Sequence, residues 1–106
     1  MENPIKTISV EELNNLINQG KEVVIFDMRR LDEYNQGHIK DAIHLTSESF
    51  FHEANYFNDD TIVVMQCYHG NASKAVTYDL TLKGFDNIYS LDGGITAWVQ
   101  AGYPLV

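Results

Sequence analysis

One cysteine is all this chain has, which rules out an internal disulfide and a cysteine-rich zinc site. Basic residues are scarce as well: seven Lys and Arg against fifteen Asp and Glu leave a formal net charge of −8. Such a surface repels a phosphate backbone and argues against nucleic-acid binding. No apolar run approaches the roughly 20 residues of a membrane-spanning helix, so no membrane partner is expected. The opening Met1-Glu2-Asn3-Pro4-Ile5-Lys6 lacks the basic and apolar regions of a signal peptide. A cytoplasmic location follows as the expectation, and there a thiol stays reduced. Repeats, linkers and low-complexity stretches are missing too, so residues 1–106 read as one domain.

What is present is an alternation of apolar runs with amphipathic segments, the pattern of an α/β protein. Ser9-Val10-Glu11-Glu12 fits a capping box, Leu13, Leu16 and Ile17 follow at helical spacing, and Gly20 stands just past the end, predicting a helix over 10–19. Val23 to Asp27 reads as a buried strand and 31–36 as a short helix ended by Gly37. A strand at Ala42 to Leu45 precedes a helix starting near Ser47, capped by Thr46 or Ser47, and 55–60 form a loop. The apolar run Ile62-Val63-Val64-Met65 is rich in β-branched residues and uninterrupted, as suits a strand over 62–66 covered on both faces. A helix over about 72–83 follows, with Ala72, Val76 and Leu80 on one face and Gly84 at its end. Ile88 to Leu91 is a further strand, and Gly93-Gly94 leads into a last helix through Trp98, stopped by Gly102 and Pro104. The tally is four or five strands and about five helices, a mainly parallel sheet with helices on both faces. Sheets of that kind place their ligand site at the C-terminal ends of strands.

Cys67 stands at such an end. It follows the strongest strand and precedes a helix, so the backbone N–H groups of residues 68 to 73 are free to curl around its sulfur. These dipoles and the helix N-terminus favour an anion, and the thiolate is the reactive form of cysteine. A buried core cysteine is the commonest alternative, but the strand-to-helix position favours a nucleophile.

Three segments in order match a known family. Asp27-Met28-Arg29, Glu33-Tyr34, Gly37-His38-Ile39 and Ala42 resemble the first signature of the rhodanese domain, and Leu91-Asp92-Gly93-Gly94 through Trp98, with Gly102-Tyr103-Pro104, resembles the closing one. Between them Cys67-Tyr68-His69-Gly70-Asn71 is similar to the active-site loop of the GlpE-type single-domain thiosulfate sulfurtransferases. The resemblance implies a three-layer α/β/α rhodanese-like fold. It also implies a two-step sulfur transfer in which the Cys67 thiolate takes the sulfane sulfur of thiosulfate, releases sulfite, and passes the sulfur to cyanide or to a thiol. No second cysteine exists to resolve the persulfide, so the acceptor comes from outside, a thioredoxin-like dithiol being the expected kind. Neither a cofactor nor a metal is called for, and His38, His44 and His52 lack a ligating spacing.

The sequence departs from the common family loop Cys-x-x-Gly-x-Arg at Ala72, which stands where the arginine would be. Anion binding then falls to the amides of the loop Tyr68, His69, Gly70, Asn71, Ala72 and Ser73, with Lys74 as a cation that is more simply a solvated helix residue. Tyr68 is read as a wall of the pocket. His69 is read either as orienting or protonating the leaving group or as a loop histidine without a chemical task. Asp27, Arg29 and Glu33 are expected to form an ion-pair network that supports the site rather than an acid/base set. Two other functions share these residues: a persulfide carrier or regulatory binding module, and a cysteine phosphatase or arsenate reductase. The last needs Cys-x5-Arg, and Ser73 occupies the arginine's place.

Overall fold

A computed structural model describes residues 5–106, in which ten elements follow one another in chain order. They are β1 (Thr7–Ile8), α1 (Val10–Asn18), β2 (Val23–Asp27), α2 (Leu31–Gln36), β3 (Ile43–His44), α3 (Ser47–Ala54), β4 (Ile62–Gln66), α4 (Asn71–Leu82), β5 (Ile88–Leu91) and α5 (Gly94–Gln100). The five strands make one sheet in the order β1-β5-β4-β2-β3, and every pairing is parallel.

Local chemistry sets the helix starts. Ser9 Oγ accepts the Glu12 N–H at 3.1 Å and Glu12 Oε1 accepts the Ser9 N–H at 3.2 Å, the expected capping box. Thr46 caps α3, its Oγ1 accepting the Ser49 N–H at 2.9 Å. Each such cap contributes about 1 kcal/mol.

The central strands are apolar throughout because both faces are covered. Ile25 and Val64 point into a core formed with Leu13, Ile95 and Trp98, while Phe26, Val63 and Met65 point into a second one around Phe50 and Ile88. Val64, Met65, Phe26 and Leu13 are wholly buried, and each fully buried large side chain stabilises the fold by about 1.5–3 kcal/mol.

Two features differ from the sequence expectation. β1 carries too few residues to show a period, and its existence rests on pairing of Thr7 with Ser90 and Ile8 with Leu91. In α4 the buried positions are Ser73 and Thr77, with Val76 and Leu80 half-buried and Ala72 exposed. Val76 and Leu80 still pack on the core around Phe50, while Ser73 is buried against Cys67 and Ser90.

From β2 the chain runs outward to the edge strand β3, then returns to β4 on the other side of β2. The sheet therefore changes its direction of growth between β2 and β4, and a crevice opens past their C-terminal ends. No helix among the described residues is long and apolar enough to cross a membrane.

Candidate active site

Cys67 follows the last residue of β4 and lies at the floor of that crevice, 7% exposed. Its Sγ accepts the Gly70 N–H at 3.2 Å and the Ser73 N–H at 3.4 Å, and Ser73 Oγ lies 3.4 Å away. Gly70 is the N-cap of α4 and Ser73 its third residue, so the sulfur takes the place that a capping side-chain oxygen holds in other helices. The tight return of the chain needs Gly70 at φ +89, where a Cβ would also lie 3.0 Å from the Leu91 carbonyl oxygen and the Gly93 nitrogen.

The loop is held from below by α5. Its first free N–H groups do not point to a ligand: Ile95 N–H donates to the Cys67 carbonyl at 2.8 Å and Thr96 N–H to the Tyr68 carbonyl at 3.1 Å. The Gln66 side-chain amide donates to the same Cys67 carbonyl at 2.8 Å. These bonds fix the peptide planes around the cysteine, leaving the Gly70 and Ser73 amides aimed at sulfur.

The opposite wall comes from the segment after β2. Asp27 is fully buried, and Arg29 reaches it with Nη2 at 2.8 Å and Nε at 3.1 Å while donating from Nη2 to the Gly37 carbonyl. The guanidinium carbon also stands 5.9 Å from the centre of the Tyr68 ring. A cleft of about 380 Å³ results, lined by Met28, Arg29, Glu33, Cys67, Tyr68 and Ala72 among others. Another hollow, between Phe57, Thr61, Phe85 and Asn87, opens at the far ends of β4 and β5 and carries no nucleophile.

Burial pushes the Cys67 thiol up, but the Ser73 hydroxyl and the Ser73, Gly70 and His69 amides outweigh it, so its pKa lies below the ordinary cysteine value. The arrangement can hold a thiolate at the base of a pocket without a general base. Each donor is fixed beforehand and needs no reorientation when charge appears.

Of the residues picked from sequence, Cys67, Tyr68, His69, Asn71, Ala72, Arg29 and Glu33 all face the cleft. The expected amide ring narrows to Gly70 and Ser73 at hydrogen-bond distance, with His69 adding a weaker influence. His69 Nδ1 lies 3.2 Å from Thr96 Oγ1, which ties the imidazole to α5. Asp27 and Arg29 form the supporting ion pair, but Glu33 does not join it: Glu33 Oε1 is buried without a hydrogen-bond partner. Lys74 is exposed on α4 and does not line the cleft. Sequence reasoning missed Ser90, whose hydroxyl is 2.7 Å from Ser73 Oγ, and the supporting bonds of Ile95 and Thr96. Only the Gly93-Gly94 pair that opens α5 offered a signal for this close approach.

A parallel α/β sheet whose switch-point crevice holds a cysteine bonded by two backbone amides defines an α/β domain with a cysteine loop at the C-terminal end of a central strand. The chain belongs to the Rhodanese-like domain family, whose match spans residues 9–101. It is similar to a rhodanese-related protein from Thermoplasma volcanium, with 28% identity, a TM-score of 0.77, and 95% of this chain and 97% of that one covered. A rhodanese-like domain protein from Staphylococcus aureus shares 31% identity at a TM-score of 0.73, covering 89% of this chain and 91% of that one. The fold alone is shared with a Rhodopseudomonas palustris protein of unknown function given as a possible tyrosine phosphatase, at 24% identity, a TM-score of 0.81, and coverage of 96% and 85%. The family fits sulfur transfer, and one fold carrying different names leaves the choice of chemistry to the site.

Proposed function

We propose that this domain is a sulfurtransferase in which Cys67 takes the sulfane sulfur of thiosulfate and hands it to cyanide or to an external thiol such as a thioredoxin-like dithiol. The Cys67 thiolate attacks the outer sulfur of thiosulfate, a new S–S bond forms, and the old one breaks with its electron pair leaving on sulfite. Cys67 is then a persulfide, R–S–S⁻, and the total charge is unchanged. Cyanide attacking the outer sulfur leaves as thiocyanate and regenerates the thiolate. An acceptor dithiol instead takes the sulfur as its own persulfide, closes its disulfide and releases hydrosulfide.

The observation that carries this reading is the Cys67 sulfur bonded to the Gly70 and Ser73 amides on the floor of an open cleft. Phosphoryl chemistry is disfavoured because the place of its clamping arginine is taken by Ser73, which is fully buried and turned to the sulfur. A second reading, a carrier loaded by another protein's persulfide, gains from the cations at the cleft. Arg29 is committed to the buried Asp27, and Arg30 shares its charge with the exposed Asp32, which weakens the pull of the cleft on a dianion.

Intact-mass measurement after incubation with thiosulfate tests the function. A gain of one sulfur atom, removed by dithiothreitol and absent in Cys67→Ser, is the expected result. A reactive thiol that gains no sulfur from thiosulfate but gains it from an alkyl persulfide selects the carrier reading. No gain from either overturns sulfur transfer.

A further inference from the structure

Ser73 and Ser90 are both fully buried, and their hydroxyls lie 2.7 Å apart in a line that ends on the Cys67 sulfur, 3.4 Å from Ser73 Oγ. Ser90 belongs to β5 and is seventeen positions away from Ser73 in sequence, so only the β4–β5 pairing brings it under the loop. Among the described residues, Ser90 Oγ has no other hydrogen-bond partner. We propose that Ser90 is a positioning residue for Cys67, its hydroxyl donating to Ser73 Oγ and thereby committing the single Ser73 proton to the sulfur whenever the sulfur is anionic. The inference rests on the reading of Cys67 as the nucleophile.

Counting protons gives the physical reason. The chain Cys67–Ser73–Ser90 contains two contacts and, with the sulfur ionised, two hydroxyl protons. Both are used if each points toward the sulfur. Adding a third proton on sulfur spoils this match. If the S–H turns toward the cleft, Ser73 and two amides are left aimed at a neutral sulfur, a poor acceptor. If the S–H instead donates to Ser73, the Ser73 proton turns to Ser90 and the Ser90 proton is stranded in the core. A buried donor without an acceptor costs about 1–3 kcal/mol. Either way the hydroxyl pair works against the thiol, and successive hydrogen bonds running one way reinforce each other.

Ser90→Ala, which removes the hydroxyl with little change in volume, tests this through iodoacetamide alkylation of the protein's only thiol followed by intact mass across pH. The parent's own rate at neutral pH tests whether Cys67 is ionised, independently of Ser90. Expected is a roughly fivefold slower alkylation of Ser90→Ala at neutral pH, from the loss of one hydrogen bond's worth of anion stabilisation. At alkaline pH the two rates converge, which a merely distorted site does not reproduce. Ser90→Thr, which keeps the hydroxyl, is expected to restore the neutral rate. In a Ser73→Ala background, Ser90→Ala is expected to have no further effect, because the bridge is already gone. Circular dichroism and thermal melting of the same samples report folding. A folded Ser90→Ala with the parent's pH profile overturns the proposal, and so does an equal slowing with and without Ser73. Should Ser90→Ala fail to fold, the isosteric pair Ser90→Thr and Ser90→Val decides: a slower neutral rate in Val than in Thr is expected, and equal rates in the two overturn the proposal.

Discussion

Gly94 lies directly beneath Cys67: a Cβ built on Gly94 would stand 2.3 Å from the Cys67 carbonyl oxygen and 2.6 Å from the Tyr68 carbonyl. Gly94 also has a φ of +58, so a side chain there meets both a backbone clash and an unfavoured conformation. The neighbouring Ile95 N–H bonds that same carbonyl, and the close approach is what lets α5 support the loop.

Gly94→Ala is therefore expected to push the loop off α5. The expected outcome is a loss of about 3 kcal/mol in stability, the scale of a strained residue with a forced shift. Denaturant midpoints measure it, and Cys67 alkylation at neutral pH is expected to slow in the same variant because the amides no longer converge on sulfur. Gly20→Ala, at a positive φ with open space around it, provides the comparison and is expected to cost clearly less.

Arg29 and Asp27 form a buried pair, with side-chain exposures of 7% and 0%. Removing the guanidinium leaves a buried carboxylate with no countercharge, so Arg29→Ala is expected to destabilise the fold by about 3–5 kcal/mol. Urea denaturation of the variant measures this. An effect confined to KM, with stability unchanged, would assign Arg29 to substrate instead.

Ala72 is exposed at the cleft, and Lys74 lies outside its lining. Ala72→Arg adds a guanidinium to the lining of the cleft, and if thiosulfate is the donor, as proposed, a charge-assisted pair with it is expected to lower its KM roughly tenfold. Lys74→Ala is expected to change the same KM by less than about twofold, since an exposed cation outside the cleft is screened. Steady-state rates with cyanide as acceptor read both.

The lowered pKa of Cys67 has a consequence for stability. Its hydrogen-bonded anion is favoured only in the folded state, while the unfolded thiol ionises at about 8.5. The added stability is fully present above that ordinary value, shrinks as pH falls, and is gone once pH drops below the folded-state pKa. Thermal melts of the parent against Cys67→Ser are expected to shift in the parent's favour as pH rises toward about 8.5. A constant difference across that range would show that the sulfur has its ordinary pKa.

Much of the fold was legible in sequence because its signals are local. The runs Val23–Asp27, Ile62–Gln66 and Ile88–Leu91 are the strands observed, Ser9 caps the helix it was expected to cap, and of the two candidates Thr46 and Ser47 it is Thr46 that caps α3. β1 escaped notice because two residues carry no period and depend on a partner eighty-three positions away. Of the apolar line Ala72, Val76 and Leu80 on α4, Val76 and Leu80 pack on the second core, while Ala72 is exposed and the fully buried positions are Ser73 and Thr77. Pattern alone counts a hydroxyl as solvent-facing; Ser73 is buried because Cys67 and Ser90 supply its partners.

By itself, the sequence determined the alternation of strands and helices, the lone thiol, and the strand-to-helix turn that carries it, all properties of neighbouring residues. Tertiary structure decided which groups reach that thiol. It spent Arg29 on Asp27, left Glu33 outside the ion pair, kept Lys74 out of the cleft, and brought Ser90, Gly94 and Thr96 under the loop. The contacts beneath the loop join residues far apart in the chain, and hydrogen bonds and steric limits of a few ångströms there exist only once parallel pairing has set the register of β2, β4 and β5.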